Sequence, residues 1–222
     1  MGFPVVPSDS ATGGVSQALG RAGWLQLADR LVGGLCHDLN GRTSALVGLG
    51  QLLDLDTELD LGGLLSDEVE KLEEVSRHLS LLVGDPDGPA EPLVVTDLVP
   101  SLISLQARER GTGGVQVSLA LADAAPPILV NWTAFSRAFL LLLSMAIQVQ
   151  AGEDRQVDVS VEADESGALR LGVSGPAGPP SAVGIALEDA LRPSAAVVEW
   201  GGTGVSVRFP SLAQSRRAQA GT

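Results

Sequence analysis

"LCHDLNGRTSALVGLGQLL", Leu35 to Leu53, decides how the first part of this chain folds. Apolar or small residues recur at Ala28, Val32, Leu35, Leu39, Leu46, Leu49 and Leu53, at alternating steps of three and four, with Arg42 as the interruption. That spacing predicts one long amphipathic helix running from about Trp24. The acidic loop "DLDTELDLGG" ends it, and Ser66 then offers a cap, with Asp67, Glu68 and Glu70 favourably placed in a first turn. Val69, Leu72, Val75, Leu79 and Leu82 repeat the stripe. Two long helices with seams on one side cannot hide them as an isolated hairpin, so the pattern predicts a four-helix bundle built by two copies of the chain.

The rest of the chain reads differently. "GDPDGPAEP", Gly84 to Pro92, breaks the second helix, and beyond it the period alternates. Strands are expected at Leu93–Val95, Val115–Leu121 and Ile128–Val130, within "RQVDVSVEAD" and "GALRLGVSG", and in the closing "AAVVEW" and "GVSVRFP". Helices are expected at Asp97–Arg108, Thr133–Gln148 and near Val183–Leu191. The fold class is therefore α+β: a helical hairpin followed by a sheet with helices packed against it. The expected organisation is a flexible N-terminus over 1–20, the hairpin over 21–84, the α+β unit over 92–212 and a flexible tail over 213–222.

Composition narrows the function. Among 222 residues, 45% are hydrophobic but 3% aromatic, so the core is one of Leu, Val and Ala. A formal charge of -13 opposes nucleic acid or an anionic membrane surface as partner. The single Cys36 excludes an internal disulfide, which suits a reducing cytoplasm. The N-terminal stretch lacks a basic segment and an apolar one, and the apolar run Ala138–Val149 is short for a bilayer, so a soluble, cytoplasmic protein is expected.

His37 lies two residues from both Leu35 and Leu39, so it points away from the seam. Gly33, Gly34, Gly41, Ser44 and Gly48 share its face at helical steps, leaving little bulk around the imidazole. Each such glycine costs roughly 1 kcal/mol of helix stability relative to Ala. One reading is that another protein brings an atom to within bonding distance of the ring. The other is a surface histidine in a chain with 27 glycines. Asp38 can accept a hydrogen bond from one ring nitrogen and free the other as nucleophile, or it is a solvated helix charge. Arg42 can meet a phosphoryl group or an acidic loop, or be an ordinary exposed arginine. His78 falls within about 10 Å of the height of His37, nearer the seam, where a structural role outweighs a shared metal site because no further ligands converge.

"HDLNGRTSALVGLGQLL" resembles the phosphoacceptor helix of two-component histidine kinases, in which His-Asp or His-Glu is followed by Leu, a polar pair that here includes Asn40, and an Ile-x-Gly-x-x-x-Leu-Leu run. The order of hairpin, linker and α+β unit is also that of a dimerisation and phosphotransfer domain followed by a kinase-type ATP-binding domain of the Bergerat (GHKL) class. The resemblance implies His37 as phosphoacceptor. It also implies Asp38 as the group orienting the ring and Arg42 as a phosphoryl or partner contact. Gly33, Gly34, Asn40, Gly41, Ser44 and Gly48 would then be the partner-binding face.

The departures point away from ATP. Met145 stands where the family places a magnesium-binding Asn, and a thioether does not hold Mg²⁺. Ser174 replaces the adenine-reading Asp, and Pro176 replaces a glycine. "GGTGVSV", Gly201 to Val207, reads as a strand rather than the phosphate-cradling loop that opens a helix, because Val205, Val207 and Phe209 alternate. About 20 residues separate Gly178 from Trp200, too few for the usual nucleotide lid. Gly41 stands where phosphatase-competent kinases carry Thr or Asn. The chain thus resembles the kinase-derived dimeric histidine phosphotransferases, with a degenerate ATP-binding domain. That family implies transfer between receiver-domain aspartates and His37, with Mg²⁺ on the receiver, no cofactor in this chain, and response-regulator receivers or a hybrid histidine kinase as partners. The alternative is a non-catalytic pseudokinase scaffold that binds a kinase or regulator.

Overall fold

The computed structural model describes residues 10–52, 60–109, 115–150, 156–175, 187, 188 and 190–220. Helix α1 spans Ser10–Leu52 and α2 spans Leu61–Leu82. They are followed by β1 (Glu91–Leu93), α3 (Val95–Gln106), β2 (Gln116–Leu121), β3 (Ile128–Val130) and α4 (Trp132–Val149). The chain closes with β4 (Gln156–Ala163), β5 (Leu169–Ser174), β6 (Val197–Trp200), β7 (Gly204–Phe209) and α5 (Leu212–Ala220). The class is α+β, as the sequence predicts.

Several boundaries differ from expectation. The strand expected at Leu93–Val95 is β1 at Glu91–Leu93, because Val94 caps α3 and Val95 opens it. Helix α1 begins within the stretch expected to be a flexible lead-in, because Ala11, Gln17, Ala18 and Leu19 are good helix formers and extend the turns anchored below. The expected tail after residue 212 is helix α5, capped by a reciprocal pair: Ser211 N–H donates to the Gln214 side chain at 2.8 Å, and Gln214 N–H donates to Ser211 Oγ at 3.4 Å. The cap of α2 is Asp60, whose carboxylate accepts from Gly63 N–H at 2.9 Å, rather than Ser66. Most of the helix expected near Val183–Leu191 lies outside the described residues.

The main sheet has the order β2-β4-β5-β7-β6, with β2 and β4 parallel and the other pairs antiparallel. Strand β4 shows its period directly, with Val157, Val159 and Val161 buried and Asp158 and Glu162 exposed. Those valines, with Leu171, Val205 and Val207, belong to one core with α3 and α4, where Phe135 stacks on Phe139 and tilts against Phe209. Gly201–Val207 runs into β7, hydrogen-bonded to both β5 and β6, so this glycine-rich stretch is sheet and does not open a helix. Helix α4 is long and apolar enough to cross a membrane by length and composition, and 67% of that stretch is buried within the protein.

The hairpin does not stand apart from this core. Leu27, Leu31 and Leu35 of α1, and Val75, Leu81 and Leu82 of α2, are buried in the same cluster as Val99, Leu102, Leu140 and Leu143 of α3 and α4. The lower half of the seam is therefore covered within the chain. The linker is packed as well. Arg137 of α4 donates to the Gly84 carbonyl at 2.8 Å and lies 5.0 Å from the centre of the Trp24 ring, and Asn131 reaches the Asp85 carbonyl at 3.2 Å. A side chain at Gly84 would collide with Thr133.

At about 100° per residue, α1 presents three faces. Leu27, Leu31, Leu35 and Leu49 face inward. Leu25, Val32 and Leu39, at steps of seven, form an apolar line with 67%, 39% and 40% of their surface exposed. Val32 and Leu39 thus belong to this outer line and not to the inner seam. The third face carries His37.

Candidate functional site

His37 sits midway along α1 with 70% of its side chain exposed. Around it, side chains at Gly33, Gly41 and Gly48 would meet nothing within 4 Å. Asn40 and Ser44 are exposed, and Ser44 Oγ donates back to the Asn40 carbonyl at 2.9 Å, which keeps its hydroxyl against the helix. The ring therefore stands in a shallow open strip that a second protein can approach closely.

The other side of His37 is closed by the α+β unit. The turn after α3 brings Arg108 onto the hairpin, where its Nη1 pairs with Asp38 Oδ2 and its Nη2 pairs with Glu74 Oε2 at 3.0 Å. The Arg108 carbonyl occupies the place where a side chain at Gly34 would begin. Glu109 pairs with Arg30 one turn below and also accepts from Gln106. Gly34 is therefore a buried intramolecular contact, not part of an open partner face. Its missing side chain admits a backbone carbonyl at close range.

Two further expectations change for the same reason, that long polar side chains pair with whatever the fold brings near. Asp38 Oδ1 lies 3.8 Å from His37 Nδ1, outside hydrogen-bond range, and its other oxygen is held by Arg108. Arg42 reaches across the hairpin to Glu68, with both oxygens at 3.4 Å, so it turns away from the His37 face. Lys71, at 2.7 Å, is the main influence lowering the Glu68 carboxyl, and burial opposes it.

His78 of α2 is buried, and its Nε2 lies 3.9 Å from Glu74 Oε1. Burial and then the Arg108 charge lower its pKa, while Glu74 opposes, so the ring is neutral at pH 7. For Glu74, burial pulls upward most strongly, yet the Ser104 hydroxyl at 3.0 Å and Arg108 together hold it below the usual range. Among the described residues, no group of three or more His, Cys, Asp or Glu could hold a metal ion. Cys36 is exposed beside the apolar line of α1.

The Ser174 hydroxyl at the end of β5 accepts from Asp158 N–H at 2.6 Å, so it serves the sheet edge. Met145 is half-buried on α4, and Pro176 lies outside the described residues. Sequence reasoning missed Arg108 and Glu74. Nothing local marks them, since Asp38 and Arg108 are 70 residues apart.

No protein-family model matches the chain. Sporulation kinase E of Bacillus subtilis is 25% identical over 138 residues, which make up 61% of this chain and 19% of that protein. The chain thus spans less than a fifth of that relative's length. Among solved structures, full-length ShkA in complex with AMPPNP superposes over 82% of this chain and 45% of that one, with 16% identity and a TM-score of 0.45. The histidine kinase AdeS of Acinetobacter baumannii covers 79% of this chain and 98% of its own, with 13% identity and a TM-score of 0.46. The catalytic domain of histidine kinase ThkA covers 56% and 98%, at 15% identity and a TM-score of 0.45.

Proposed function

We propose that this relative of the histidine kinases is a phosphotransfer protein, in which His37 takes a phosphoryl group from the aspartyl phosphate of one receiver domain and passes it to another. The observation that carries the reading is the His37 ring, 70% exposed on a helix face that three glycines leave bare. In the transfer, a ring nitrogen attacks phosphorus in line as the bond to the aspartate oxygen breaks, and the receiver carboxylate leaves with the electron pair. The receiver supplies Mg²⁺ and a cationic side chain that stabilise the transferring group. Open space on this side of α1 gives such a domain room to align donor and acceptor within bonding distance.

Two features support the remainder of the proposal. Met145 and Ser174, which stand where the resembling kinases carry Asn and Asp, and the β7 strand support a reading in which the α+β unit docks partners rather than charging His37. The exposed apolar line Leu25, Val32 and Leu39 on α1, with Leu64 and Val69 on α2, supports a homodimer that completes a four-helix bundle. The setting is the cytoplasm, with response regulators and a hybrid kinase as partners.

The test is incubation with phosphorylated receiver domains. Acid-labile label should appear on the wild-type chain and be absent from His37→Gln, and labelled ATP with Mg²⁺ alone should give none. A second reading, a scaffold that binds receivers without accepting phosphate, is favoured by the gap between His37 and Asp38. It predicts receiver binding with no label at all.

A further inference from the structure

Arg108 makes three contacts to the hairpin at once: Asp38 on α1, Glu74 on α2, and the Gly34 backbone beneath its carbonyl. Its guanidinium spans both helices, with Nη1 directed at one carboxylate and Nη2 at the other. Only 19% of its side chain is exposed, where solvent screening is weak. Ser104 adds a hydrogen bond to Glu74 at 3.0 Å, and Glu109 pairs with Arg30, so the end of α3 is seated on the hairpin by charge as well as by packing.

One carboxylate in this clasp belongs to the residue that follows the candidate phosphoacceptor. Its free-facing oxygen stops 3.8 Å from His37 Nδ1. In this arrangement the guanidinium holds one Asp38 oxygen, and the other lies outside hydrogen-bond range of the imidazole. We propose that Arg108 is a positioning residue that couples the seating of α3 to the tautomer of His37. With the clasp closed, Arg108 holds Asp38. With it open, Asp38 accepts the Nδ1 proton and leaves the Nε2 lone pair free to attack.

This inference rests on phosphoryl acceptance at His37. In that step the Nε2–P bond forms, the P–O bond to the receiver aspartate breaks, and the Nδ1 proton stays between the ring and Asp38. The orientation of the nucleophile by a third group follows the general logic of activated nucleophiles.

The test is imidazole proton–nitrogen correlation spectroscopy on the whole chain labelled with nitrogen-15, at alkaline pH. The chain has two histidines, so one extra variant completes the assignment. Arg108→Gln should move His37 toward the Nδ1–H tautomer, and D38A/R108Q should abolish the movement. Glu74→Gln, which loosens the clasp from α2 without touching α1, should give a smaller shift in the same direction if Arg108→Gln fails to fold. The initial rate of labelling from a phosphorylated receiver should rise several-fold in Arg108→Gln and not in D38A/R108Q. His37 signals that do not change in either single variant, or a change that survives loss of Asp38, would overturn the inference. The spectra need no phosphodonor, so the two proposals fail separately. A responsive tautomer without label sinks the transfer reading, and label without a responsive tautomer sinks the clasp.

Discussion

Gly33 and Gly34 are neighbours on α1 and opposite in use. A side chain at Gly34 would collide with the Arg108 carbonyl, whereas one at Gly33, Gly41 or Gly48 would meet open space. A glycine inside a helix costs roughly 1 kcal/mol relative to Ala. At Gly34 the close seating of α3 offsets that cost within the chain. At the other three nothing among the described residues does, which leaves room for a partner. The difference teaches that an unexplained helical glycine carries functional information only after internal packing has been subtracted.

The strongest way to break this contrast is Gly34→Ala. The new methyl meets a backbone atom that cannot yield without lifting α3, so urea denaturation should show a loss of about 2 kcal/mol, the usual scale of overpacking. Leu39→Glu acts on the outer apolar line. It should weaken self-association at least tenfold, about 1.4 kcal/mol, as read by light scattering across a dilution series, with little change in monomer fold. Gly33→Ala, Gly41→Ala and Gly48→Ala should do the reverse of Gly34→Ala and stabilise the chain by about 0.5–1 kcal/mol each. If the strip receives a partner, bulkier Gly41→Leu should slow receiver-dependent labelling without destabilising the protein.

The smallest effect concerns pH. The folded pKa of His78 is below its ordinary 6.5, with burial and then Arg108 as causes. The unfolded chain therefore takes up that proton first, and stability is full above 6.5 and declines as pH falls below it. Glu74, held below its ordinary 4.5 despite its burial, adds a second decline at lower pH. Chemical denaturation between pH 7.5 and 5.5 should show the first decline, and His78→Gln should flatten it.

Legibility in the sequence followed the range of each interaction. Strand β3 occupies the predicted residues, and β7 falls where the alternation of Val205, Val207 and Phe209 places it, because side-chain period is a local property. Exposure of His37 was readable from its offset to Leu35. Its polar surroundings were not. Arg42 pairs with Glu68 and Asp38 with Arg108, partners 26 and 70 residues away, and charge pairs carry no sequence period. The outer line at Leu25, Val32 and Leu39 was likewise hidden, since one apolar repeat cannot distinguish residues covered by the same chain from residues left for another.

By itself, then, the sequence determined that a helical hairpin precedes an α+β unit and that one histidine faces outward, because hydrophobic periodicity and turn chemistry act between residues close along the chain. Only the tertiary structure decided which glycine is a contact and which is bare, and which cation holds the carboxylate beside that histidine. Those outcomes depend on how closely α3 approaches α1, a distance set by the packing of the shared core and written in no single segment.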